Sequence, residues 1–152
     1  MYCRVLSASL LGVEALPIQV EVDVAGGLPL FVTVGLAEGA VKEAKVRVQS
    51  AIQNSGHLFP SGRVTVNLAP ANVKKLGSAF DFPIALGVLG AQGIIVADRL
   101  EKVMVFGELS LSGAIRPVHG VLAAALAAKK IGCKTLLVAN ENAEEASLVR
   151  GL

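Results

Sequence analysis

From Ile18 to Val24 apolar and polar residues alternate without a break, Ile18, Val20, Val22 and Val24 against Gln19, Glu21 and Asp23. A period of two marks a strand with one buried face. Tyr2–Leu11 reads as an earlier strand ending at Gly12, and Leu30–Val34 as a later one. Gly26 and Gly27 turn the chain between them, so Leu30–Val34 is expected to run back as the hairpin partner of Ile18–Val24. The period then lengthens. Val41, Ala44, Val48, Ala51 and Ile52 recur at helical spacing, which predicts an amphipathic helix over Val41–Ser55. Lys42, Glu43, Arg47 and Gln49 are placed on its outer face, and Asn54 with Gly56 ends it.

The alternation returns over Arg63–Leu68 and stops at Ala69-Pro70, because proline has no N–H for a sheet ladder. A basic, glycine-bearing loop follows from Asn72 to Phe80. Asp81 then stands where a helix N-cap is expected, ahead of the apolar run that begins Phe82-Pro83-Ile84. A strand, a loop and a helix N-terminus facing that loop suit a nucleophile or a bound anion. Beyond the helix, Gly93–Ala97 is a short connection with some strand character. Val103–Phe106 is a strand, Gly107–Gly113 contains a second, and Ser112-Gly113 turns into Ala114–Val118. Gly120 opens an alanine-rich helix, Val121–Ile131. Thr135–Val138 is a strand, and Asn142–Leu148 begins a helix. Strands come first and then alternate with helices. The expected class is α+β (mixed α/β), one sheet with helices on one side. The chain stops at Leu152 with no polar finish, as expected of a fragment.

Composition narrows the picture. The 152 residues suit one domain, yet 53% are hydrophobic, only 17% are charged and mean hydropathy is +0.64. Some apolar surface is therefore expected to meet a partner. A net charge of +2 is too small to argue nucleic-acid binding by itself, and aromatics at 4% give little for stacking on bases. The longest apolar run, Phe82–Ala97, is punctuated by Pro83, Gly87, Gly90, Gln92 and Gly93. It falls short of the roughly 20 residues of a membrane span. No signal peptide is read at the N-terminus, and Cys3 and Cys133 are too few for a disulfide framework or a zinc site. A cytoplasmic protein with no membrane contact is expected. His57 and His119 have no third ligand at metal-binding spacing, and Glu108 has no partner carboxylate at a defined spacing.

Several stretches carry a resemblance. GRVTVNLAPANVKKLGSAFDFPIALGVL, FGELSLSGAIRPVHGVLAAALAAKKIG and NENAEEASLV resemble the N-terminal, Lon-protease-like domain of the magnesium-chelatase-like AAA+ ATPases, the ComM (YifB) family. CRVLSASLLGVEA and VGLAEGAVKEAKVRVQSAIQNSGHLFP resemble the same family, so nearly the whole chain is covered. The resemblance implies a fold like domain 2 of ribosomal protein S5, shared with the Lon proteolytic domain and the C-terminal domain of RadA. It implies that residues 1–152 form a single domain followed by an AAA+ module that binds ATP and magnesium. It further implies a hexameric DNA helicase that promotes branch migration in recombination during natural transformation. No G-x-x-x-x-G-K-[ST] phosphate loop occurs in this chain, so no cofactor is expected in it.

Kinship with Lon tests the loop for catalysis. Lon-type proteases carry a nucleophilic serine in a K-D-G-P-S-A-G-like loop and a lysine after a G-G-V-like turn. Laying Gly77 on the loop glycine puts Ala79 at the serine. Laying His119-Gly120-Val121 on the turn puts Leu122 at the lysine. Both partners are missing. A slip of one residue offers Ser78 as nucleophile, but Lys129 and Lys130 lie about two helical turns beyond Leu122. Two readings follow: a non-catalytic domain serving ring assembly or DNA guidance, or a Lon-like serine peptidase with an unusual site. A phosphoryl-transfer loop at GSAFD is a distant third. Under the first reading the partners are the AAA+ module, neighbouring subunits and weakly held DNA. The candidate contacts are Lys74, Lys75, Lys42, Lys45 and Arg47, and Asp81 caps and organises the loop.

Overall fold

Alternation in the first 25 residues closes an antiparallel hairpin. The computed structural model describes residues 1–152, and in it β1 (Tyr2–Leu11) pairs with β2 (Glu14–Ala25) from Tyr2↔Asp23 to Leu11↔Glu14. Ile18, Val20 and Val22 are buried while Gln19 and Asp23 are exposed, so the faces fall as the period of two dictates.

The third strand departs from expectation. β3 (Leu30–Val34) does not pair with β2. After α1 (Ala44–Asn54), β4 (Arg63–Ala69) enters between them, antiparallel to β2 and parallel to β3. The inner place goes to the strand with the more apolar inner face: Val64, Val66 and Leu68 are all buried, whereas every residue of β3 is half-buried or exposed. Two glycines make this insertion possible. A Cβ at Gly62 would collide with the Ala25 carbonyl oxygen, and one at Gly35 with that of Leu68. Gly35 also has φ +103°, a backbone that side chains resist.

The helix α1 starts at Ala44 rather than Val41, because a separate 3-10 turn occupies Gly39–Val41. Its face is as predicted, with Val41, Ala44, Val48, Ala51 and Ile52 buried. α2 spans Asp81–Ala91. No strand follows it at Gly93–Ala97. The Ile94 and Ile95 N–H groups both turn back to the Leu89 carbonyl, at 2.9 and 3.3 Å, and the chain enters a 3-10 turn at Ala97–Leu100. Next come β5 (Val103–Val105), the short hairpin β6 (Glu108–Leu109) and β7 (Ile115–Arg116), α3 (Val121–Lys130), β8 (Thr135–Leu137) and α4 (Ala143–Ser147). The six-stranded mixed sheet runs β3-β4-β2-β1-β5-β8.

Helices cover both faces of that sheet, not one. Cys3, Val5, Ile18, Val20, Val22 and the inner residues of β4 pack with α1 and α2. Residues facing the other way, Ala8 and Met104, pack with Val121, Ala124 and Ala128 of α3. β1 is central enough to be buried from both sides, and the alanine-rich face of α3 lets that helix lie close to it. Glycines do the same for α2: a Cβ at Gly87 would sit 2.5 Å from Val22 Cγ2, and one at Gly90 would collide with Cys3 Sγ. No helix is long and apolar enough to cross a membrane.

Candidate functional site

The loop between β4 and α2 is pinned in an extended conformation. The Lys75 N–H donates to the Leu36 carbonyl (3.0 Å), and the Glu38 N–H to the Lys75 carbonyl (3.1 Å). Neighbouring residues of an extended segment point opposite ways. Lys74 is exposed and Lys75 is fully buried. The Lys75 ammonium donates to the Pro70 carbonyl and has no carboxylate within ion-pair reach. Burial pushes its pKa down.

Asp81 is the first residue of α2, not its cap, and its carboxylate makes no capping bond. It is fully buried between two phenylalanines and takes three donors instead. Arg47 Nε reaches Oδ2 at 2.5 Å, an Arg47 terminal nitrogen reaches Oδ1 at 3.0 Å, and the Leu109 N–H reaches Oδ2 at 3.2 Å. Burial pushes the Asp81 carboxyl up, while Arg47 and the Leu109 N–H pull against it. The rest of the guanidinium is spent on the Ala40 carbonyl (2.6 Å) and Glu43 (3.2 Å). Arg47 is therefore not on the outer face of α1; it bolts α1 to α2, and Asp81 in turn ties α2 to β6.

The N–H groups at the start of α2 are engaged within the protein. The Asp81 N–H bonds the Ser78 carbonyl, the Phe82 N–H the Gly107 carbonyl and the Ile84 N–H the Phe80 carbonyl, at 3.1, 3.0 and 3.0 Å. Pro83 has no N–H. The N–H groups of Asp81, Phe82 and Ile84 are therefore not free to receive a phosphate.

The two positions aligned with a Ser–Lys dyad carry neither a hydroxyl nor an amine. Ala79 is buried in the cluster beneath α3. Leu122 is exposed on the first turn of α3, where its N–H donates to Glu145 Oε1 at 3.1 Å. The hydroxyl of Ser78 donates to Glu108 Oε2 rather than meeting an amine. This Ser78–Glu108 pair escaped the sequence reading, which weighed each residue alone; the β5–β6 connection brings them together. They line a cavity of about 490 Å³ between the end of β1, the loop and the approach to α3, with His119 at its edge. His57 and His119 are both exposed, and no group of three or more His, Cys, Asp or Glu is placed to hold a metal.

Of the five cations considered for DNA, Lys42, Lys45 and Lys74 are exposed. Lys75 is buried and Arg47 is engaged by Asp81, so neither presents a free charge at the surface.

Residues 20–142 match the family described as subunit ChlI of Mg-chelatase. The chain is 46% identical over 141 residues to the uncharacterized protein YifB of Escherichia coli (strain K12), covering 93% of this chain and 28% of that protein. It is 46% identical over 145 residues to the competence protein ComM of Haemophilus influenzae, covering 95% of this chain and 28% of ComM. An uncharacterized protein of Mycobacterium bovis is 42% identical over 149 residues, covering 98% of this chain and 30% of that protein. The chain thus spans less than a third of the length of these relatives. Matched over most of its own length, it belongs to the Mg-chelatase ChlI family.

Proposed function

We propose that this chain is the non-catalytic, Lon-like domain of a ComM-type AAA+ ATPase, in a hexameric helicase that promotes DNA branch migration during natural transformation. Its task is to support ring assembly or guide DNA, while ATP and magnesium belong to the separate ATPase module. The mixed sheet is read as ribosomal-protein-S5-domain-2-like. One observation carries the non-catalytic part. The loop that holds a nucleophile in Lon-type proteases is here spent on structure. Ala79 is in the core, Leu122 is a surface leucine, and the Lys75 amine donates to a backbone carbonyl instead of a hydroxyl. The similarity to ComM over 95% of the chain supports the rest.

The test uses the full-length protein with Lys42, Lys45 and Lys74 replaced by Glu. A domain that guides DNA loses branch-migration rate severalfold while ATP hydrolysis holds, because three phosphate-facing charges have been reversed. A domain that builds the ring loses hexamers in sedimentation instead. Unchanged migration and unchanged assembly overturn both roles. Casein cleavage by the purified chain, abolished by Ser78→Ala, would restore the peptidase reading.

A further inference from the structure

The cavity beside Ser78 is lined by none of the exposed lysines proposed to guide DNA, Lys42, Lys45 and Lys74, so a ligand there is distinct from that role. Its volume of about 490 Å³ lies within the range of cavities that take small ligands or side chains. Most of the lining is apolar, and Glu108 is its only Asp, Glu, Lys or Arg. Glu108 is half-buried and makes no ion pair. Arg116 lies opposite it in the β6–β7 register yet is exposed and unpaired with it, and Arg47 is held by Asp81. One carboxylate oxygen takes the Ser78 hydroxyl. The other, Oε1, has no hydrogen bond and is not sealed from solvent, and Glu108 lines the cavity.

A carboxylate with one occupied and one open oxygen, on an apolar wall, recognises a cation by a charge-assisted hydrogen bond. A divalent metal needs several oxygen ligands, and this wall supplies one carboxylate. The rim adds a second requirement. Leu76 is 59% exposed and Leu10 42%, so the ligand should cover aliphatic surface as well. An ammonium or guanidinium on a methylene stem, flanked by apolar residues, meets both conditions.

We propose that this cavity binds a lysine or arginine side chain presented by an apolar peptide segment of a protein partner, with Glu108 as the charge partner and Leu10 and Leu76 as the apolar rim. Ser78 holds the carboxylate in place. Gly77, with open space around its Cα, leaves the entrance clear.

The test is a titration of the ¹⁵N-labelled protein with the peptide acetyl-Ala-Leu-Lys-Leu-Ala-amide. The amides of Gly77, Ser78, Glu108 and His119 are expected to shift together, and more salt should weaken binding. Glu108→Gln keeps the size and the acceptor for Ser78 but removes the charge, and should weaken binding about tenfold. Leu76→Lys, at an exposed position that leaves the fold intact, should weaken it too by setting a cation at the rim. The same peptide with Glu for Lys should not bind. Equal binding of the Lys and Glu peptides, binding unchanged in both variants, or no shift at these amides overturns the proposal. Binding of n-butylammonium as tight as the peptide overturns recognition of a peptide.

Discussion

Lys74 and Lys75 are identical in type and adjacent, yet one is solvated and the other lies in the core. In the sequence they read as one basic patch. The bridge between Ala37 and Lys75 separates them, because an extended segment sends neighbours to opposite sides. That bridge is non-local, so nothing near the lysines announces it. In the sequence Asp81 reads as a cap and Arg47 as an outward residue, although an aspartate between Phe80 and Phe82 needs a partner if those rings are buried and Arg47 borders the apolar stripe of α1. The Lys75 ammonium has one acceptor and no counter-ion, which gives a pH signature. Its pKa when folded lies below the unfolded value of 10.5. Between the two values the unfolded chain binds more protons, so Lys75 makes stability rise with pH across that window. Below it the penalty of burying the charge is complete. Lys75→Met is therefore expected to be more stable than the parent at pH 7, by about 1 kcal/mol. The advantage should shrink as pH approaches the ordinary lysine range. Urea melts of both proteins at several pH values check this, and a gap that stays constant or widens contradicts it.

At the scale of elements, the approach of α2 to the sheet is set by what is missing from two side chains. Gly87 and Gly90 are poor helix formers, each costing about 1 kcal/mol relative to alanine. Alanine would gain that propensity but lose the fit. A methyl at Gly87 lies 2.5 Å from the Cγ2 of Val22, a fully buried and β-branched neighbour that has nowhere to turn. Gly87→Ala should destabilise the protein by about 1–3 kcal/mol despite the better helix former. Adding Val22→Ala should recover part of the loss, because the two sites share one contact. Denaturant melts of the two single variants and the double would show it; a neutral or stabilising Gly87→Ala would mean that the helix shifts outward freely. The glycines of α2 were visible in the sequence only as punctuation of an apolar run. The Ile18–Val24 part of β2 was legible because its alternation is a local property, whereas residues 14–17 at its start were not read as strand. The partner of β3 was not, since chain order favoured a hairpin with β2 and the burial of Val64, Val66 and Leu68 favoured β4 at the centre. For the same reason the side of the sheet taken by α3 was misjudged. An alanine-rich stripe says that a helix lies close to something, not on which face.

For the molecule as a whole, hydrophobic residues exceed what the two clusters enclose. Val13, at the tip of the β1–β2 hairpin, is 94% exposed, and Leu126 on α3 is 56% exposed. Both line one surface depression of about 330 Å³ together with Leu16 and Ile131. A contiguous apolar surface of this kind favours association. A net charge of only +2 offers little repulsion against it. The chain by itself is therefore expected to self-associate as its concentration rises. Val13→Lys combined with Leu126→Lys puts two charges into the depression and raises the net charge from +2 to about +4. Both positions are exposed and neither belongs to a buried cluster, so the melting temperature should move little. Sedimentation velocity over a concentration series is the measurement. The parent should shift to larger species while the double variant stays monomeric. Association that persists unchanged in the variant would place the contact elsewhere, at the edge of β3 or at the rim of the Glu108 cavity. A parent that is monomeric throughout would mean that the scattered charges already keep this surface apart.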